Sequence, residues 1–365
     1  MLIIKSKHKR YLRQIFTFGL IWLLFGLIYV LLEMGLIYEL TMYPATGNSY
    51  NLKISLINVS IGSFLMGITQ GVIEIFWLKN HFKQNPFWKK ILFKSVFYLL
   101  LIIFFIVSLT LISNAFYYKT SAFDPVVVES LKVFIRSYSF WSIILYTGLI
   151  LDIALFYSEI EDFLGNEILL YYLGKYHKSK IETRIFMFLD MKSSTTIAEN
   201  IGHEKYFDLL KNYYADMTNA ILETSGKVYQ YVGDEIVISW DKESGIYKNN
   251  CIQCFYEISK EFEKKKDYYT QKFGLVPEFK AGFHIGEVTT GVIGIIKKEI
   301  IYTGDILNTT ARIQAQCNNF NSKILISEKL KIELQKDTLF SFKKLERLML
   351  RGKKDAIQLY DVIYN

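Results

Sequence analysis

Apolar residues crowd into the first 160 positions of this chain, while charge dominates the remainder of its 365 residues. Four apolar runs stand out, near residues 14–38, 54–78, 91–113 and 138–157. Each is close to the ~20 residues that carry a helix across ~30 Å of hydrocarbon. The first run is too long, and wrongly flanked, for a cleavable signal peptide. The pattern predicts a four-helix transmembrane domain over residues 1–157, an amphipathic transmitting linker over 158–180, and a soluble domain over 181–365. With 51% hydrophobic and 16% aromatic residues, disordered and fibrous classes are excluded.

Charge sets the expected orientation. The formal net charge is +8, from 43 Lys+Arg against 35 Asp+Glu. Much of the excess flanks apolar runs, in Lys5, Lys7, Lys9, Arg10 and Arg13, then in Lys79, Lys83, Lys89, Lys90 and Lys94. These read as juxtamembrane lysines and arginines beside membrane lipid, so no nucleic-acid partner is expected. The 39–53 loop carries only Lys53, and the 116–137 loop three basic residues. Positive loops stay inside, so both termini are expected in the cytoplasm of a multi-pass inner-membrane protein. Tyr38, Tyr43, Trp77, Trp88 and Trp141 lie near run ends, where interfacial aromatics belong.

Glu33, Glu74 and Asp152 fall in or near the runs. An intramembrane acid is costly when ionised and marks a ligand or proton site, or else sits at the water boundary. From Glu159 to Lys180 the apolar residues Ile160, Phe163, Leu164, Ile168, Leu169 and Leu173 recur at helical spacing, interrupted by Gly165 and Gly174. This predicts a short transmitting helix. Cys251, Cys254 and Cys317 give no disulfide framework. The spacing of Cys251 and Cys254 suits a redox or zinc pair, but without a second pair or nearby His one face of a helix is expected.

Chemistry concentrates in the second half. A buried strand, R-I-F-M-F-L-D from Arg184, ends at Asp190. It is followed by Ser193, Ser194 and Thr195 and then by helical periodicity. A strand, polar loop and helix N-terminus make an anion site, although the same hydroxyls are ordinary helix caps. Residues 227–240, K-V-Y-Q-Y-V-G-D-E-I-V-I-S-W, read as a hairpin with Gly233-Asp234 in its turn. If the hairpin pairs beside the first strand, Asp190 and Asp234 project together. Two such carboxylates suit two divalent ions ~3.5–4 Å apart, the clamp for in-line displacement at phosphorus. After E-F-K-A-G-F-H-I-G-E-V-T-T-G-V-I-G (278–294), the segment Y-T-G-D-I-L-N-T-T-A-R-I-Q opens a helix near Asp305, an N-cap candidate. Asn308 and Arg312 then share a helical face.

The ordered F-L-D-M-x-x-S-T, G-D, A-G-x-H-x-G-x-V and G-D-x-x-N-x-x-x-R motifs resemble class III adenylyl/guanylyl cyclases over residues 181–363. The resemblance implies an α+β ferredoxin-like (βαββαβ) domain that works as a head-to-tail homodimer with shared active sites. It implies two Mg2+ (or Mn2+) per site, held by Asp190, Asp234 and the Met191 carbonyl. Asn308 would orient the ribose and Arg312 would stabilise charge on the α-phosphate. In the segment L-R-G-K-K, Arg351 or Lys353 would meet the terminal phosphates.

The match departs from the family at the base-reading positions. Adenylyl cyclases commonly carry Lys, and Asp or Thr, where this chain has Gln230 and Ile301; guanylyl cyclases commonly carry Glu and Cys. Gln230 donates and accepts, and so suits either base. A membrane-bound adenylate cyclase acting on ATP is expected, with a guanylate cyclase and a non-catalytic dimerising sensor module as alternatives. Intact Asp190, Asp234, Asn308 and Arg312 argue against the last. A diguanylate cyclase fits poorly: V-G-D-E-I lacks that family's second glycine and its phenylalanine.

Overall fold

The computed structural model describes residues 6–37, 50–81, 86–164, 178–296, 298–336, 338–350 and 355–365. Two compact units are present, one over Arg10–Asn166 and the other made chiefly of Glu167–Asn365.

The first unit is helical. Its elements are α1 (Ser6–Ile37), α2 (Leu52–Ile73), α3 (Phe87–Tyr118), the short α4 (Pro125–Arg136) and α5 (Tyr138–Leu164). A π-helical stretch, Glu74–Leu78, extends α2. Local chemistry starts these helices where they start. The Asn51 side chain accepts from the backbone N–H groups of Lys53 and Ile54, and Asp124 caps α4 ahead of Pro125. Among the described residues four helices are long and apolar enough to cross a membrane: Arg10–Leu36, Leu52–Leu78, Phe87–Tyr118 and Tyr138–Glu161. Their outward faces carry exposed Leu31, Phe104 and Leu145, while Trp22, Tyr98 and Leu151 pack inside. Helices α1 and α2 approach closely because Gly67 has no side chain. A Cβ there would lie 2.6 Å from the Phe18 carbonyl oxygen.

Inside this unit lies an ionic cluster. Lys94 donates to Glu74, and its Nζ is also 2.7 Å from Glu159 Oε1. Lys94 and Glu74 are both almost fully buried. Lys94, counted among the lysines flanking the apolar runs, sits on the second turn of α3 with its side chain turned inward. Of the other acids, Glu33 accepts from Ser55 and Asp152 from Ser95. The expected transmitting helix begins as a continuation of α5 to Leu164, and residues 165–177 lie outside the described residues.

The second unit is built on one mixed sheet. In chain order it contains β1 (Lys180–Met191), α6 (Ser194–Ile201), α7 (His203–Glu223), β2 (Lys227–Val232), β3 (Glu235–Asp241), α8 (Asn250–Lys264) and α9 (Lys266–Phe273). There follow β4 (Phe279–Ile293), β5 (Glu299–Thr303), α10 (Asp305–Ala315), β6 (Ile324–Ser327), α11 (Glu328–Glu333), β7 (Phe340–Leu348) and β8 (Ile357–Tyr364). The strand order is β2-β3-β1-β4-β6-β8-β7, with β5 paired to β4. Among the described residues only the β4–β6 pair is parallel.

β1 is central and covered on both faces, which is why its sequence is a nearly unbroken apolar run. Ile185, Met187 and Leu189 pack with Leu209, Tyr213, Met217, Phe255 and Phe262 from the helices. Phe186, on the opposite face, packs with Val237, Val288, Tyr302 and Ile306. Cys251 and Cys254 are both buried on α8, on the helix face that the apolar pattern predicts. Helix α10 does not use Asp305 as its cap. Gly304 holds that position, and the Asp305 carboxylate accepts from Thr309 within the helix.

Candidate active site

Asp190 lies at the end of β1, and Asp234 in the β2–β3 turn beside Gly233, whose φ of +62° favours glycine. Antiparallel pairing sets Asp190 opposite Glu235. The turn residue Asp234 therefore comes beside it, near enough for the two carboxyl groups to act on each other. The β3–β1 adjacency on which the two-carboxylate expectation depends is present. Tyr214 of α7 braces the turn: its hydroxyl donates to the Gly233 carbonyl oxygen at 2.8 Å. Met191 follows Asp190, buried and paired with Phe279.

Burial first, and acid crowding second, set the electrostatics. Burial, then the facing Asp234, hold the Asp190 carboxyl above the ordinary carboxylate range, with Lys280 opposing them. Burial, then Asp190 and Asp234, push Glu235 up to about 7. A concentration of like charge in a half-buried corner is relieved by a divalent cation, and carboxylate oxygens are the donors that hard cations take. Among the described residues no group of three or more His, Cys, Asp or Glu side chains gathers for a metal. An ion here would thus take two acids from the chain and complete its shell with backbone, water or substrate oxygens. That donor set fits Mg2+ or Mn2+.

The remaining candidates fall in three places. Ser193, Ser194 and Thr195 occupy the junction from β1 into α6, and Ser193 is left-handed at φ +55°. Asn308 and Arg312 lie together on α10, Asn308 exposed and Arg312 half-buried. Gln230 is exposed on β2 just after a bulge, and half-buried Ile301 pairs with Gly291 from β5. Those two strands are not paired to each other. Their neighbours do meet, however: the Tyr302 N–H donates to the Tyr229 hydroxyl at 3.3 Å, and the rings lie 4.9 Å apart. Arg351 and Lys353 lie outside the described residues.

Two side chains at the acid pair escape the motif reading. Lys280 of β4 stands across from Asp190, and Gln314 of α10 donates to it. Finding the lysine requires the β1–β4 register, and finding the glutamine requires the packing of α10 on β4. Neither is a local pattern.

Residues 176–363 match the family model for the adenylate and guanylate cyclase catalytic domain. With half of its length matched, the chain belongs to this class III cyclase family. It is 33% identical over 177 residues to Adenylate cyclase 2 of Rhizobium meliloti (strain 1021), covering 48% of this chain and 49% of that protein. It is 27% identical over 180 residues to an adenylate cyclase of Anabaena cylindrica, covering 48% of this chain and 36% of that one. The chain thus spans about half, or less, of the curated relatives it matches. Among solved structures, the adenylyl cyclase CyaB from P. aeruginosa aligns with a TM-score of 0.46 at 18% identity, over 52% of this chain and 97% of that one.

Proposed function

We propose that the sheet unit is an adenylate cyclase that converts ATP to 3′,5′-cyclic AMP and pyrophosphate. The helical unit would anchor it to the cytoplasmic membrane by four spans, with both termini inside. The observation that carries the reading is the facing of Asp190 and Asp234 at the end of β1, in a chain of the cyclase family. The domain limits proposed are 1–157 for the membrane part, 158–180 for the transmitting linker and 181–365 for the catalytic part. The catalytic core is read as ferredoxin-like.

In this reading Asp190, Asp234 and the Met191 carbonyl hold two Mg2+ or Mn2+ ions. Such ions, when bound, lower the pKa of the ribose 3′-hydroxyl and offset charge on the departing pyrophosphate. Asn308 orients the ribose so that the 3′-oxygen lies in line with the α-phosphorus. Attack forms the new P–O bond and breaks the bond to the bridging oxygen of the β-phosphate; the hydroxyl proton passes to solvent. Arg312, fixed in place by α10, stabilises the equatorial charge as it develops. Ser193, Ser194 and Thr195 offer N–H and hydroxyl donors to phosphate oxygens, and Arg351 or Lys353 meets the terminal phosphates. Gln230 and Ile301 face the base.

The family's head-to-tail arrangement divides each site between two chains, the acids from one and Asn308/Arg312 from the other. Mixing inactive Asp190→Ala protein with inactive Arg312→Ala protein should therefore restore turnover at one of the two sites of a mixed dimer. No recovery in cross-linked mixed dimers would count against shared sites. The primary test is incubation of the full chain in detergent with Mg2+ or Mn2+ and each nucleoside triphosphate in turn, reading cyclic nucleotide and pyrophosphate. Cyclic AMP from ATP is expected. A preference for GTP would make the protein a guanylate cyclase, a reading that the two-way hydrogen bonding of Gln230 accommodates equally. No product from either nucleotide would leave a dimerising sensor module.

A further inference from the structure

Both residues that reach Asp190 from outside the acid group converge on the same oxygen. Gln314 Nε2 donates to Asp190 Oδ2 at 3.1 Å, and Lys280 Nζ lies 3.3 Å from that same Oδ2. Neither donor is a wandering surface group. The antiparallel register sets Lys280 directly opposite Asp190, and its ammonium also donates to Asn318 Oδ1, just beyond α10, at 3.2 Å. Its side chain is 12% exposed. Gln314 is buried, and its backbone is pressed onto β4 at Gly282, where a Cβ would lie 2.3 Å from the Gln314 nitrogen.

A carboxylate that is free at both oxygens can chelate a cation with both, or rotate between modes. One whose Oδ2 is saturated by an amide and an ammonium presents a single oxygen. The ammonium also cancels one of the negative charges that draw a divalent ion in.

We propose that Lys280 and Gln314 are positioning residues for metal binding. Together they commit Asp190 to one-oxygen ligation through Oδ1, and Lys280 keeps the acid pair a weak cation site until a nucleotide brings its own phosphate charge. This rests on the two-metal reading above. It makes the site ligand-gated: cation and nucleotide arrive together, and the cation alone stays loosely held. The geometry is built into the scaffold, because strand register places the amine and a glycine lets the amide approach.

The test measures Mn2+ binding to the full-length protein in detergent without nucleotide, by electron paramagnetic resonance of free Mn2+ or by calorimetry. Lys280→Met removes a unit charge close to the site and should tighten Mn2+ binding about five- to tenfold. Lys280→Arg keeps the charge and should stay within about twofold of wild type. Gln314→Ala leaves the charge unchanged, so its Mn2+ affinity should also hold, while kcat at saturating metal falls about tenfold as the carboxylate regains its rotation. Should the methionine variant not fold, Lys280→Gln provides the same comparison. Unchanged or weaker Mn2+ binding in the folded charge-removal variant would overturn the proposal. So would loss of kcat in Lys280→Arg equal to that in Lys280→Met. Asp190→Ala is the separate arm for the parent reading: if it keeps wild-type Mn2+ binding, the metal assignment itself falls, whatever the lysine does.

Discussion

The two units of this protein bury charge in opposite ways. In the helical unit, Lys94 joins Glu74 and Glu159, and Lys90 lies 3.6 Å from Glu159, so two acids and two bases satisfy one another inside an apolar bundle. In the sheet unit, Asp190, Asp234 and Glu235 press like charges together, with Lys280 the cation on Asp190. The first arrangement is electrically closed and holds helices in register. The second is open, and in the proposed function its unmet charge is what a ligand would complete. Burial of a charge alone does not mark a site; burial without adequate compensation does.

The sharpest way to break this contrast is to neutralise the open group. Asp234→Asn should lower cyclase turnover by at least about three orders of magnitude, roughly 4 kcal/mol in the barrier. Removing a repelling charge should at the same time leave the thermal midpoint of the sheet unit equal or raised. Near-native turnover in this variant would mean that the crowded acids are structural after all.

The opposite response is expected from the closed cluster. Lys94→Met leaves Glu74 inside the bundle without its counter-charge and Glu159 with Lys90 alone, 3.6 Å away; breaking a buried pair in this way costs ~3–5 kcal/mol. Thermal or denaturant unfolding of the helical unit in detergent reads it directly. Replacing Glu74, Lys94 and Glu159 together by Leu, Met and Leu should recover most of that loss. If the triple variant is as unstable as the single one, the cluster holds something besides its own charges.

The smallest effect concerns base choice. In the proposed site Gln230 can hydrogen-bond either base and Ile301 can neither donate nor accept, so few polar groups would be stranded when the wrong base enters. Gln230→Lys should raise the ratio of kcat/KM for ATP over GTP about tenfold, and more when combined with Ile301→Asp. A wild-type ratio already above ~10⁴, the scale of a site with dedicated hydrogen bonds, would show that other residues read the base.

Sequence reveals the two units to different depths. The metal-type acids are legible because a strand end and a hairpin Gly-Asp are local signals that survive without any knowledge of packing. The four apolar helices are legible for the same reason, since length and hydropathy are properties of a single segment. The inward turn of Lys94 is not legible because counting basic residues near a run records position along the helix and not which way a side chain points. Lys280 and Gln314 escape because their meeting with Asp190 depends on pairing between β1 and β4 and on the close packing at Gly282. The π-helical stretch at Glu74–Leu78 has no sequence signature of its own. It adds a residue to the turn and resets which side chains of α2 face inward.

The burial of the cysteines reaches beyond packing. Burial pushes the thiols of Cys251, Cys254 and Cys317 up to about 12. At pH 8 about one in 10⁴ of each is then the reactive thiolate, and the buried sulfur is shielded besides. To a maleimide the folded wild-type chain is therefore nearly blank. Any cysteine placed on its surface reports alone, with no native thiol to remove first. Exposed Ser121, in the loop between α3 and α4, is the informative position. In sealed cells Ser121→Cys should take an impermeant maleimide from outside. Labelling only after lysis would turn the helical unit over and place the sheet unit on the side away from cellular ATP.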